Sequence, residues 1–163
     1  MALLIRPMRR SDLSGLVPMR VALHGQDEDE AHSDLEDLLL PGSRGAIGTS
    51  IVFVAERSGV PVGFAEVMLR SHAEGCWDYT VGGRMGIAHL EAWWVEPHAR
   101  RSGVGQALVA AVESWAREQG SPVLASDAEL DNVRSHRAHR ALGFAEVERT
   151  VHFVKELVSG QSE

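Results

Sequence analysis

The stretch from Ile87 to Gln119 constrains this chain more than any other. Ile87-Ala-His-Leu-Glu-Ala-Trp-Trp-Val95 is its most strand-like run. It passes through Glu96-Pro97 into the basic glycine turn Arg100-Arg101-Ser102-Gly103-Val104-Gly105. A helix follows from about Gly105 to Gln119, with Val104, Leu108, Val109, Val112 and Trp115 on one face and Gly120 and Pro122 at its end. A strand feeding an amphipathic helix through glycines is the unit of an α/β fold. The glycines let backbone approach a ligand, and the first N–H groups of the helix, with its dipole, favour an anion. Arg100 and Arg101 add fixed positive charge, so a pyrophosphate is the natural occupant. The turn lacks the Gly-Lys-Ser/Thr of a Walker loop and the G-x-G-x-x-G of a dinucleotide fold.

Around this unit the order reads β-α-α-β-β-β-α-β-α-β, an α/β domain on a mixed sheet. Leu3 to Arg6 is a short strand, and Ser11 is the expected N-cap of a helix bearing Leu13, Leu16, Val17, Val21 and Leu23. A second helix is expected at Ser33 to Leu40, stopped by Pro41-Gly42, with a loop to Gly48. Residues 51–56 and 63–70 are strands around the turn Arg57-Ser-Gly-Val-Pro61. A long loop is expected from Ser71 to Met85, where Trp77 and Tyr79 could stack on sugar rings or form a core or dimer contact. Val123 to Asp127 reads as a strand and Asn132 to Leu142 as a helix. The alternation of Val147, Val151, Phe153 and Leu157 predicts closing strands over Glu146 to Leu157.

The length of 163 residues fits one domain, 1–163, with a loose tail at 158–163. No apolar run approaches the ~20 residues that span a bilayer, and Met1-Ala-Leu-Leu-Ile5 meets Arg6-Pro7 too early for a signal peptide. One cysteine, Cys76, allows no internal bridge, which suits a reducing cytoplasm. The net charge of −7 argues against a nucleic-acid partner. Of 23 acidic residues, seven stand between Gln26 and Asp37 with no Lys or Arg among them, and the other 16 match the 16 basic ones. Such a window is either a solvated helix start or a surface that attracts a polycation.

The turn, with Val95-Glu-Pro97 before it and Gln106-Ala-Leu108 after it, resembles the acetyl-coenzyme A motif of the GCN5-related N-acetyltransferases. Asn132, His139 and Leu142-Gly-Phe144 are similar to that family's final helix and its L-G-F ending. Leu90-Glu91, residues 125–132, Ser135-His136, 139–144 and Glu148-Arg149 with Phe153 resemble, more narrowly, the aminoglycoside 6′-N-acetyltransferases. The resemblance implies an α/β fold with a mixed central sheet of about six to seven strands flanked by about four helices. It implies acetyl transfer from acetyl-CoA to the 6′-amine of an aminoglycoside, by direct attack in a ternary complex. Alternatives are an acetyltransferase for another polyamine or peptide amine, or a non-catalytic protein that binds coenzyme A or a polycation.

The site residues follow from the same resemblance. Acetyl-CoA would lie beside Trp93 to Val95, with the Val95 N–H toward the thioester carbonyl and the backbone of Arg101, Ser102, Gly103, Val104 and Gly105 on the pyrophosphate. Asn132 would be a further cofactor contact, an N-cap, or both. Glu91 takes the position of the acid that accepts the substrate proton. Strand alternation groups it with His89, Trp93 and Val95 unless a β-bulge, usual in this family, intervenes. Asp127 matches an acid that contacts substrate amines. His139 stands where many relatives carry a Tyr that protonates the thiolate, and His152 where an aromatic hydroxyl is usual, so a side-chain acid could also be absent. Asp27 and Glu28, with other acids of the window, would border the acceptor pocket. No metal is expected, and a homodimer through the C-terminal strands around His152 is.

Overall fold

The computed structural model describes residues 2–40, 49–71, 73, 76 and 86–156. The tail at 158–163, Trp77, Tyr79, the loop to Gly48 and most of the loop from Ser71 to Met85 lie outside the described residues. The elements are β1 (Leu3–Pro7), α1 (Leu13–His24), α2 (Glu28–Leu38), β2 (Ser50–Arg57), β3 (Val60–Arg70), β4 (Ile87–Val95), α3 (Val104–Glu118), β5 (Leu124–Ser126) and α4 (Val133–Ala141).

The sheet runs β1-β2-β3-β4-β5, antiparallel until β4 and β5, which pair parallel. Ser58 and Gly59 both take positive φ in the two-residue turn between β2 and β3, the twist that a tight hairpin demands. One face carries α3. There Val104, Leu108, Val109, Val112 and Trp115 pack on Ala65, Val67, Ala88 and Leu90. The other face carries α1 and α2, whose Leu16, Val17 and Leu35 meet Val52, Val54, Phe64 and Ala92.

Three local expectations shift. The first helix starts after Asp12 rather than Ser11, following a 3₁₀ turn at Arg10–Asp12, and the Asp12 side chain makes no capping bond to it. The Asp12 carboxylate accepts the Arg9 N–H at 2.7 Å and both Arg6 amino groups at 2.7 and 2.8 Å, and Arg6 also reaches Glu56. The second helix begins five residues earlier than expected, at Glu28, because the Asp27 side chain accepts the Glu30 N–H at 2.8 Å and the acids behind it suit the positive helix end. The closing strands expected over Glu146 to Leu157 are not formed in the described part of that segment, so the described residues form a sheet of five strands, slightly fewer than the expected six to seven. Val147, Val151, Phe153 and Val154 are exposed; among the described residues no strand pairs with this segment to bury its alternating face.

Candidate active site

β5 accompanies β4 only from Ala88 to Leu90. Beyond that β5 has ended, and Ala92 to Val95 pair with β3 on one side only, which leaves the other edge of β4 without a strand partner among the described residues. A bulge marks the same place: Glu66 pairs with Ala92 and Val67 with Leu90, so Glu91 is the extra residue. It switches the faces of β4. Ala88 and Leu90 lie in the α3 core, as do Trp93 and Val95, whereas Ala92 and Trp94 meet the α1–α2 side. The grouping of His89 and Glu91 with Trp93 and Val95 is thereby replaced by the bulged arrangement.

The turn after β4 is held from below. Arg100 donates through Nε to the Val95 carbonyl at 2.8 Å and lies 4.9 Å over the Trp94 ring, so its guanidinium serves the strand end. Ser102 donates to the Ala99 carbonyl at 2.7 Å and accepts from Arg57 at 2.7 Å. Arg101 and Gly103 take left-handed φ of 57° and 83°. The first hydrogen bond within α3 runs from the Ala107 N–H to the Gly103 carbonyl, which leaves the N–H groups of Val104, Gly105 and Gln106 without a partner inside the helix. A Cβ on Gly105 would come 2.8 Å from the Trp93 ring, so the helix start sits directly on that indole. Free N–H groups over a tightly packed glycine beside an open strand edge fit an extended chain ending in a pyrophosphate.

Glu91 is half-buried and bound by both ends of Arg70, with Nε–Oε1 at 2.6 Å and Nη2 on Oε2. The buried His89 Nδ1 stands 3.1 Å from Oε1. Burial alone would raise the Glu91 carboxyl, but His89 and Arg70 outweigh it and hold the group below its ordinary value. Arg70 also lines a cleft of about 440 Å³ together with Ser126, Asp127, His136, His139 and His152. The structure thus brings Arg70, Asp127, His139 and His152 to one cavity, which Glu91 does not itself line but joins through Arg70.

Asp127 is exposed immediately past the end of β5. His139 reaches Ser126 Oγ through Nε2 at 3.0 Å and the Ser135 carbonyl through Nδ1 at 2.8 Å. Its ring meets Trp93 and Phe144 edge-on, at 5.8 and 5.1 Å between centroids. Leu142-Gly143-Phe144 ends α4 with Gly143 at φ 89° and the Phe144 N–H on the His139 carbonyl, which turns Phe144 onto that ring. Asn132 caps α4 through its side chain, 3.0 Å from the Ser135 N–H. Asp27 and Glu28 stand exposed at the start of α2 and do not line the cleft. Behind them, Asp34 of α2 meets the buried Arg20 at 3.3 Å, and Arg20 pairs with the buried Glu66 at 2.6 Å.

Sequence reasoning missed Arg70, Arg57 and Ser126. Arg70 continues the alternation of Glu66 and Met68 along β3, but its target exists only because of the bulge at Glu91. No local signal marks Arg57 or Ser126.

A bare strand edge beside a turn rich in free N–H groups is the architecture of an acyl-transferring α/β enzyme, and this chain belongs to the acetyltransferase (GNAT) family, whose model matches residues 19–144. More narrowly, it is 37% identical over 155 residues to an aminoglycoside N(6′)-acetyltransferase type 1 of Klebsiella aerogenes, covering 94% of this chain and 97% of that one. To the protein of the same name from Stenotrophomonas maltophilia it is 40% identical over 153 residues, 91% and 90% of the two chains. The fold is similar to that of the aminoglycoside 6′-N-acetyltransferase AAC(6′)-Ih from Acinetobacter baumannii, with a TM-score of 0.81, 32% identity and coverage of 96% and 99%. It is also similar to AAC(6′)-Iy in complex with the bisubstrate analogue CoA-S-monomethyl-acetylneamine, with a TM-score of 0.79, 30% identity and coverage of 96% and 100%.

Proposed function

We propose that the protein transfers an acetyl group from acetyl-CoA to the 6′-amine of aminoglycoside antibiotics, by direct attack within a ternary complex. The observation that carries this reading is the bare edge of β4 beyond the end of β5, with the glycine turn and its free helix N–H groups at one end and the cleft that holds Asp127, Arg70 and His139 at the other. Similarity to 6′-N-acetyltransferases over nearly the whole chain supports the choice of acceptor.

In this mechanism acetyl-CoA supplies an activated acyl group as a thioester. The free N–H groups of Val104 and Gly105, with the backbone of Arg101, Ser102 and Gly103, hold its pyrophosphate, and Trp93, Val95 and Asn132 flank it. The Val95 N–H stabilises the oxyanion. Glu91 accepts the amine proton through water; it is anionic at neutral pH because Arg70 and His89 hold it so. Asp127 binds substrate amines at the mouth of the cleft, and His139 protonates the departing thiolate. Asp27 and Glu28 attract the polycation from solution.

The reading extends to one domain over 1–163, a cytoplasmic setting suggested by the lone cysteine, and a homodimer. The exposed Val147, Val151, Phe153 and Val154 support a dimer in which the segment around His152 gains a strand partner from a second copy. Thiol release from acetyl-CoA tests the function with two acceptors, one bearing a free 6′-amine and one a 6′-hydroxyl. Turnover with the first alone is expected. Equal turnover with both would move the reacting amine elsewhere on the substrate, and silence with both would sink the aminoglycoside reading.

A further inference from the structure

We propose that the Ser126 hydroxyl is the positioning residue for His139, holding the imidazole in place in both of its charge states during acetyl transfer. The inference rests on the reading of His139 as the group that protonates the thiolate.

Hydrogen-bond accounting carries it. His139 Nδ1 lies 2.8 Å from the Ser135 carbonyl, which can only accept, and 3.2 Å from the Ser135 hydroxyl, which can accept as well, so the proton is assigned to Nδ1. Nε2 lies 3.0 Å from Ser126 Oγ. Ser126 Oγ in turn lies 3.2 Å from the Leu90 carbonyl, another group that can only accept. One hydroxyl has one proton and two lone pairs. With a neutral ring, that proton goes to Nε2. With a charged ring, Nε2–H donates to Oγ and the hydroxyl proton turns to Leu90. A carbonyl in place of Ser126 would hold only the charged ring, and an N–H only the neutral one. Because both ring nitrogens face protein groups, the proton reaches the thiolate through this hydroxyl: Oγ–H passes to sulfur as Nε2–H passes to Oγ, which leaves the neutral ring in the same place.

The location agrees with the role. Ser126 and Leu90 are the last pair between β5 and β4, so the hydroxyl sits where the bare edge of β4 begins. Trp93 and Phe144 meet the same imidazole edge-on and confine it laterally, while the two hydrogen bonds fix its rotation. Ser126 lines the same cleft as Asp127.

The test combines a mutant cycle with a spectrum. Ser126→Ala is expected to lower kcat about tenfold, a fraction of the 10²–10⁴ that general acid–base catalysis supplies, with both KM values within about twofold. Ser126→Thr, which keeps the hydroxyl, should restore kcat. In a His139→Ala background, itself slowed, Ser126→Ala should change nothing further, because a residue that acts through another has no effect once that partner is gone. In nitrogen-15 spectra of the free protein, Ser126→Ala should move the Nε2 resonance of His139 and leave the other histidines in place. An unmoved resonance, an unchanged kcat, or an equal loss in both backgrounds would overturn the proposal while leaving His139 as the acid. An unchanged kcat in His139→Ala alone would remove the His139 reading, and this proposal with it.

Discussion

The two faces of the sheet are held by different physics. Against α3 the buried surface is apolar throughout, from Ala65 and Val67 to Leu108 and Val112. Against α1 and α2 the apolar cluster is interrupted by Arg20 and Glu66, both almost wholly buried, and further along β3 and β4 come Arg70, Glu91 and His89. The first face presents backbone N–H groups at a turn and needs only shape. The second holds charged side chains and can keep them ionised only by pairing them. The difference assigns tasks: a rigid apolar platform suits a ligand gripped by its phosphates, and a paired ionic layer suits proton transfer from a polycation.

Removing one partner from the ionic layer should produce the largest effect. Arg20→Leu strands Glu66 at 4% side-chain exposure and is expected to cost about 3–5 kcal/mol in chemical denaturation. Adding Glu66→Leu should recover most of that loss; no recovery would mean that the charges themselves are not the cause. On the apolar face Leu108→Ala, at a fully buried site, should cost about 3 kcal/mol by leaving a cavity. A cost below about 1 kcal/mol would show that α3 is not a close-packed platform.

Glu91→Gln should lower kcat by about a hundredfold, since it removes a base and keeps the shape. Because Arg70 and His89 hold the Glu91 carboxyl low, the carboxylate persists throughout the neutral range. Both its activity and its contribution to stability, present above the unfolded-state value, are lost only as pH falls through the lower folded-state value. An acid limb near neutrality that vanishes in Glu91→Gln would contradict this. Gly105→Val drives a side chain into Trp93 and should raise the acetyl-CoA KM about tenfold while sparing the acceptor KM. The smallest effect belongs to the surface: Glu28→Gln should raise the acceptor KM about twofold at low salt, a difference that salt should erase. A salt-independent change would place Glu28 in direct contact instead.

The glycine turn and α3 were legible because every cue for them is local: the strand run, Gly103, Gly105 and a helical face with period near 3.6. The acidic window was legible as charge but not as structure, because Asp27 reads as one acid among seven until its side chain caps α2. His139 could be singled out by its place before L-G-F. Its partners could not, since Ser126 is thirteen residues away and Trp93 is on another strand. Arg70 was hidden for the same reason.

By itself, then, the sequence determined the elements of the central unit, the glycine turn and the identity of the chemical groups, all set by neighbours within one helix turn or one strand. Only the tertiary structure decided which way Glu91 faces and what holds it charged. That decision belongs to a bulge between β3 and β4, where one extra residue reverses the alternation and brings Glu91 against Arg70, twenty-one residues away in the chain. Register between strands is a long-range property, fixed by the packing of both faces at once, and no local pattern encodes it.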